Sequence, residues 1–227
     1  MLLTPGPILL LGAPGVGKGT QAKEVMAVWG IPQISTGDIL RALRSDPVMA
    51  ATPVGIQARA LMDSGKLVSD EIVQELVKLR LAVPDTANGY VLDGFPRTLG
   101  QARWLDTMLA AQPGQLPVVA VNIAVGYNQL LRRITGRRTC PVCKSIYNIY
   151  LQPPKLDEQC DIEGAALQRR SDDTEEVFAE RMRTYDELTA PVVEHYRALG
   201  RFVDVDGEQP VGAVTAGVMS AVKQLRS

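Results

Sequence analysis

Apolar residues along the chain fall into short runs separated by stretches in which they recur every three or four positions. The runs at 8–11, 90–92, 118–123 and 202–205 are rich in Leu, Ile and Val and too short for helices. Such runs read as strands buried on both faces of a sheet. A further short strand is expected at 33–35. Helical spacing is legible at 18–28, 37–43, 54–62, 70–81, 99–110, 127–134, 175–188 and 211–225. Ser69-Asp70-Glu71 and Asp172-Asp173-Thr174 are good helix starts, because acidic groups complement the partial positive charge of a first turn. Strands alternating with helices predict an α/β fold around a parallel sheet. Asp46-Pro47, Gln112-Pro113-Gly114 and Gln152-Pro153-Pro154 read as loops.

Two segments interrupt this alternation. Residues 136–173 hold all three cysteines, the Pro-Pro pair and several β-forming residues with little helical period. They read as a small inserted module. Residues 35–68 are mostly helical and follow the strand at 33–35, reading as a second insertion. Each is too small for a generous core of its own, so each is expected to move relative to the sheet.

Gly12-Ala13-Pro14-Gly15-Val16-Gly17-Lys18-Gly19-Thr20 links the first apolar run to the helix at 18–28. This is the strand, loop, helix context that a phosphate-binding loop requires. Glycines let successive backbone N–H groups turn inward around phosphate, the helix N-terminus adds partial positive charge, and Lys18 supplies a mobile cation. A nucleoside triphosphate site is therefore expected.

Composition narrows the picture further. With 227 residues and a formal net charge of -1, the chain has an ample core and no global attraction to nucleic acid or anionic membrane. No positively charged segment precedes Lys18, and no apolar run approaches the roughly 18 residues of a membrane span. A cytoplasmic location with no membrane partner is expected. Three cysteines cannot all pair within one chain, and their close spacing favours a metal over a disulfide in a reducing compartment. The single histidine, His195, lies far from every motif and reads as a residue of a helix surface rather than a catalyst.

The phosphate loop, Ile34-Ser35-Thr36-Gly37-Asp38, Leu92-Asp93-Gly94-Phe95-Pro96-Arg97-Thr98 and Gly136-Arg137-Arg138 together resemble the adenylate kinase family, over residues 7 to 212. The usual phosphate loop places Ser or Thr directly after Lys. Here Gly19 precedes Thr20, as in nucleoside monophosphate kinases, which argues against a GTPase or a generic ATPase. The resemblance implies a P-loop three-layer fold with a five-stranded parallel core at 1–34, 69–135 and 174–227. It also implies an AMP-binding domain at 35–68 and a lid at 136–173. The implied reaction is reversible phosphoryl transfer from ATP to AMP, giving two ADP, by a monomer that uses Mg²⁺.

The same resemblance distributes the roles. Gly15, Val16, Gly17, Lys18, Gly19, Thr20, Arg133, Arg137, Ile146, Tyr147 and Gln209 would bind ATP. Thr36, Arg41, Lys66, Leu67, Val68, Gly94, Phe95, Pro96, Arg97, Gln101, Arg170 and Arg181 would bind AMP, with Thr36 and Gln101 reading adenine. Lys18, Arg97, Arg133, Arg137, Arg170 and Arg181 would carry the catalysis. An acceptor phosphate is already anionic at neutral pH, so alignment and charge neutralisation suffice. Guanidinium groups grip phosphate bidentately, which suits arginine to that work. Asp93 closes an apolar run as a Walker B carboxylate does and would hold Mg²⁺ directly or through its water shell. Asp172 and Asp173 fit two readings: orienters of the lid arginines, or an acidic helix start.

Cys140, Cys143 and Cys160 resemble the zinc-type lid, in which Cys or Asp three positions after the third cysteine completes the site. Glu163 stands there, with Asp161 as a nearby competitor, and a structural Zn²⁺ is expected. Two alternatives remain at this level. One is a kinase for another nucleoside monophosphate. The other is an ATP-dependent zinc-knuckle module binding nucleic acid through Arg132, Arg133, Arg137 and Arg138, which the net charge of -1 and the lack of interleaved aromatics disfavour.

Overall fold

The computed structural model describes residues 4–43, 47–63, 68–170 and 172–227. Lys66 and Leu67 lie outside the described residues, as does the side chain of Arg41. Five strands form one parallel sheet: β1 (Gly6–Leu11), β2 (Gln33–Ser35), β3 (Gly89–Asp93), β4 (Val119–Ala124) and β7 (Phe202–Asp206), in the spatial order β2-β3-β1-β4-β7. All six residues of β1 are buried, as expected of a central strand covered on both faces. Strand alternation divides the core in two. Leu9, Leu11, Tyr90, Leu92 and Ala120 face one layer, and Ile8, Leu10, Val91, Val119 and Val121 face the other. In register, Leu10 of β1 lies beside Asp93 of β3 and Val121 of β4. The chain leaves β1 toward β2 on one side of the sheet and leaves its neighbour β4 toward β7 on the other. The crevice beyond the carboxyl ends of these strands is the place where open α/β sheets hold ligands.

Helices α1 (Lys18–Trp29), α2 (Thr36–Ala42), α3 (Pro47–Ala50), α4 (Pro53–Asp63), α5 (Asp70–Leu81), α6 (Leu99–Ala110), α7 (Tyr127–Thr135), α8 (Glu175–Thr184), α9 (Ala190–Ala198) and α10 (Val211–Arg226) complete the described framework, with a short 3-10 turn at Pro84–Thr86. Most boundaries fall within two residues of those expected from sequence. Pro47 starts the short α3 where a loop was expected, since its fixed φ and missing N–H suit a first helical position. The helix expected at 175–188 stops being α-helical at Thr184. A π turn, Tyr185–Thr189, follows and runs into α9, and the Ala190 N–H donates to the Tyr185 carbonyl. Pro191 has no N–H for the ladder at this point, and the wider turn takes up the extra residue.

Residues 136–173 contain a two-stranded antiparallel sheet, β5 (Arg137–Thr139) and β6 (Ile146–Asn148). Their small core comprises Cys140, Tyr147, Cys160 and Leu167. Among the described residues no helix is long and apolar enough to cross a membrane.

Candidate functional site

The phosphate loop joins β1 to α1. Gly15 and Gly17 have φ of 90° and 100°, conformations that side chains rarely adopt, and a Cβ at Gly15 would come within 2.9 Å of Ile134. The Lys18 ammonium folds back over this loop, donating to the Gly12 carbonyl at 2.7 Å and to that of Ala13 at 3.3 Å. Burial pushes its pKa down from 10.5 to about 8, opposed by Asp93 and reinforced by Arg97. Val16 is buried and Thr20 exposed. A Cβ on Gly19 would lie 3.9 Å from Asp93 Oδ2, which places the β3 carboxylate against the loop.

A cavity of about 390 Å³ opens beyond the carboxyl end of the sheet, lined by Gly12, Lys18, Asp93, Arg97 and Arg181 among others. Asp93 is held by Gln33 of β2, whose Nε2 donates to Oδ2 at 2.8 Å. Arg97 is exposed, and its Nε donates to the Gly94 carbonyl at 2.8 Å. The Thr36 hydroxyl reaches the same carbonyl at 3.1 Å. Gly94, with φ of 77°, leaves the space between Thr36 and Arg97. Phe95 also borders the cavity, but its ring is buried and packs edge-on against Trp104. Pro96 lines the same wall, and Val68, partly buried, packs against the core.

Gln101, expected to read a base, is buried and already engaged. Its Oε1 accepts from the Arg97 N–H and its Nε2 donates to Asp70, both at 2.7 Å. On the opposite side, Arg133 donates to the Val16 carbonyl at 3.2 Å and to that of Gly207 at 2.8 Å. Burial lowers its pKa. Gln209 is exposed and bonds Asp206 at 2.8 Å.

The two aspartates with an ambiguous sequence reading are arginine holders. Asp173, fully buried, accepts from Arg137 Nε at 2.8 Å and from Arg137 Nη2. Asp172 accepts from Arg181, and that guanidinium outweighs partial burial to hold the carboxyl below its ordinary range. The cap of α8 is Thr174, whose Oγ1 accepts from the Val177 N–H at 3.3 Å. Arg137 and Arg170 do not line the cavity. His195 is half-buried, 2.8 Å from Asp106, and also lies away from it.

β6 turns Ile146 outward and Tyr147 inward, so the Tyr147 phenol lies 3.5 Å from the Cys160 sulfur and accepts from the Asp161 N–H at 2.9 Å. The three sulfur atoms of Cys140, Cys143 and Cys160 lie within 4.8 Å of one another. Burial favours the neutral Cys160 thiol, but the bonds from Tyr147 and from the backbone of Glu163 and Ile162 prevail and bring it to about 6. The Glu163 carboxylate is not part of this cluster, although its N–H lies 3.5 Å from the Cys160 sulfur. Asp161 is used otherwise, accepting from the Lys155 N–H at 2.8 Å.

Sequence reasoning missed Tyr185 and Thr189 of the π turn, which border the cavity, and Gln33 and Asp70, which hold Asp93 and Gln101. The Thr189 hydroxyl donates to the Arg97 carbonyl at 3.0 Å. None of these residues stands in a phosphate-binding pattern.

The lowered Lys18 pKa sets a pH dependence. Nucleotide polyphosphate favours the ammonium, so affinity is expected to fall by up to about tenfold per pH unit above about 8, until the pKa of the bound state is reached. Calorimetric titrations with ATP at constant ionic strength check this, and an affinity flat from about pH 7 to 9.5 would contradict it. Stability runs the other way. The buried ammonium costs stability in full below about 8, and that cost disappears as pH rises toward 10.5, because the unfolded chain then holds more protons.

A family model described as adenylate kinase matches residues 10–201. Curated relatives named adenylate kinase include that of Nitrosococcus oceani, 46% identical over 219 residues, covering 96% of this chain and 99% of the relative. The Archaeoglobus fulgidus protein of the same name is 44% identical over 220 residues, covering 97% and 99%. That of Thermodesulfovibrio yellowstonii is 42% identical over 217 residues, covering 96% and 99%.

Proposed function

The chain belongs to the adenylate kinase family and is a phosphotransferase, and on that premise we propose how its residues divide the work of moving a phosphoryl group from ATP to AMP. The observation that carries the proposal is the convergence of Lys18, Asp93, Arg97 and Arg181 on one cavity at the carboxyl end of the sheet. Three cations face two carboxylates, Asp93 and Glu180, of which Glu180 is paired with Arg183, and this set suits a site that must neutralise phosphate oxygens while leaving Asp93 for a divalent ion.

The ATP phosphates rest in the loop at Gly15, Val16, Gly17, Lys18, Gly19 and Thr20, which displaces Lys18 from the Gly12 carbonyl. Arg133 and, after closure of residues 136–173, Arg137 approach from the other side. AMP lies between Thr36, Arg41, Lys66, Leu67, Val68 and the turn from Gly94 to Arg97, with Gln101 against its base. Arg170 and Arg181 close on the transferred group. The acceptor oxygen is anionic at neutral pH, so these residues align and neutralise and none needs to remove a proton. Asp93, fixed by Gln33, would hold Mg²⁺, whose chemistry is to neutralise charge on the ATP phosphates. The three clustered thiols suit a structural Zn²⁺. Glu163, next to Cys160 through its backbone, would rotate to supply the fourth ligand. The division into 1–34, 69–135 and 174–227, 35–68, and 136–173 follows from these roles. The enzyme would act as a cytoplasmic monomer.

A coupled assay of ADP formation with AMP, GMP, CMP and UMP as acceptors tests the assignment. AMP is expected to be strongly preferred, and equal use of CMP or UMP would overturn the adenine reading. Thr36→Val and Gln101→Leu should each lower kcat/KM for AMP by about 1 to 3 kcal/mol, with a smaller effect on the KM for ATP.

A further inference from the structure

A primary amide has two N–H donors and two acceptor lone pairs. In Gln101 one of each is already committed: Oε1 accepts from the Arg97 N–H at 2.7 Å, and Nε2 donates to Asp70 Oδ1 at 2.7 Å. The second Asp70 oxygen accepts from the Thr98 hydroxyl at 3.0 Å. That hydroxyl oxygen in turn accepts the Gln101 N–H at 3.2 Å, capping α6. The carboxylate therefore has a fixed position as well as a fixed sign. Exchanging the two ends of the Gln101 amide would set N–H against the Arg97 N–H and carbonyl oxygen against a carboxylate oxygen, and both juxtapositions repel.

We propose that Asp70 is a positioning residue that locks the Gln101 amide in one orientation and so makes the acceptor site select a 6-aminopurine over a 6-oxopurine. The proposal rests on the reading of Gln101 as the group that faces the acceptor base. One N–H and one lone pair of Gln101 remain for that base. A 6-aminopurine presents a donor at its 6 position and an acceptor at N1. A 6-oxopurine presents the same two functions in reversed order. With the base held in one place by its ribose phosphate, an amide that cannot turn matches only one order. The discrimination then comes from the unfavourable contacts that turning would create.

Inosine monophosphate is the probe, since it differs from AMP at this edge alone. Asp70→Asn keeps the shape but can present an N–H or an oxygen to Gln101, so that of the two contacts holding the amide only the one from the Arg97 N–H still opposes its exchange. The ratio of kcat/KM for AMP over that for inosine monophosphate is expected to fall by at least roughly tenfold. A general weakening of the fold would lower both values and leave the ratio in place. Asp70→Ser, which keeps a good helix-starting residue and removes the fixed acceptor, must shift the ratio in the same direction and serves if the Asn variant does not fold. Gln101→Leu is measured alongside. If it leaves the ratio unchanged, the reading of Gln101 as base contact fails, and the proposal with it. If it collapses the ratio while both Asp70 variants retain the wild-type value, the lock alone is overturned.

Discussion

Lys18→Ala is expected to lower kcat/KM by at least about a hundredfold, the cost of removing one preorganised donor from developing phosphate charge. The ammonium is held by the Gly12 carbonyl at 2.7 Å, and among the described residues no carboxylate is hydrogen-bonded to it. Its position therefore favours an incoming anion over any partner in the protein. Burial has already lowered its pKa to about 8, so the folded chain at neutral pH bears a cost that Asp93 offsets only in part and a bound phosphate would relieve. Two measurements separate function from fold. Circular dichroism of the variant should match the parent, and at pH 7 thermal unfolding should occur no lower, because a buried charge has been removed. A folded variant that retains turnover within about tenfold of the parent would contradict the assignment of this loop to the phosphates.

The parts of the molecule legible in the sequence are those fixed by local pattern. Continuous apolar runs gave four strands of the sheet because a parallel sheet covered on both faces demands them. Glycines with positive φ between a strand and a helix marked the phosphate loop, since few other arrangements need them there. What local pattern cannot carry is pairing over distance. Gln33 meets Asp93 across 60 residues, and Gln101 meets Asp70 across 31. Asp70 moreover has a sufficient local reason in its place in a first helical turn, and that reason conceals the second one.

Short elements were illegible for a different reason. β6 has three residues, too few to show which face is apolar, so Ile146 and Tyr147 look equivalent until the pairing with β5 turns one outward and the other onto Cys160. The π turn is one residue wider than an α-helical turn and leaves no compositional mark. It nevertheless brings Thr189 to the Arg97 carbonyl and Tyr185 to the wall of the cavity. The arginine holders show the converse. Asp172 and Asp173 carry the composition of a helix start, yet tertiary pairing with Arg181 and Arg137 decides their role, and Thr174 takes the cap instead.

Removal of metal from residues 136–173 is expected to destabilise the protein while sparing its chemistry. The core of this segment, Cys140, Tyr147, Cys160 and Leu167, buries little apolar surface, so ligand bonds would supply much of its folding free energy. Three sulfurs within 4.8 Å of one another suit three corners of a tetrahedron, and a carboxylate at the fourth leaves no open position for substrate. Such a site stabilises by mass action, about 4 kcal/mol when free zinc stands a thousandfold above its dissociation constant. Chelation under reducing conditions should lower the thermal midpoint, while activity at low temperature with Mg²⁺ restored persists. Glu163→Asp should retain zinc, whereas Glu163→Ala should weaken it, because only a carboxylate within reach of Cys160 completes the anionic set. Zinc retained equally by Glu163→Ala would assign the fourth position to another group. Elemental analysis of protein purified without chelator decides the larger question: under about 0.2 zinc per chain, with all three thiols reduced, would mean that this cluster is a packed thiol core and not a metal site.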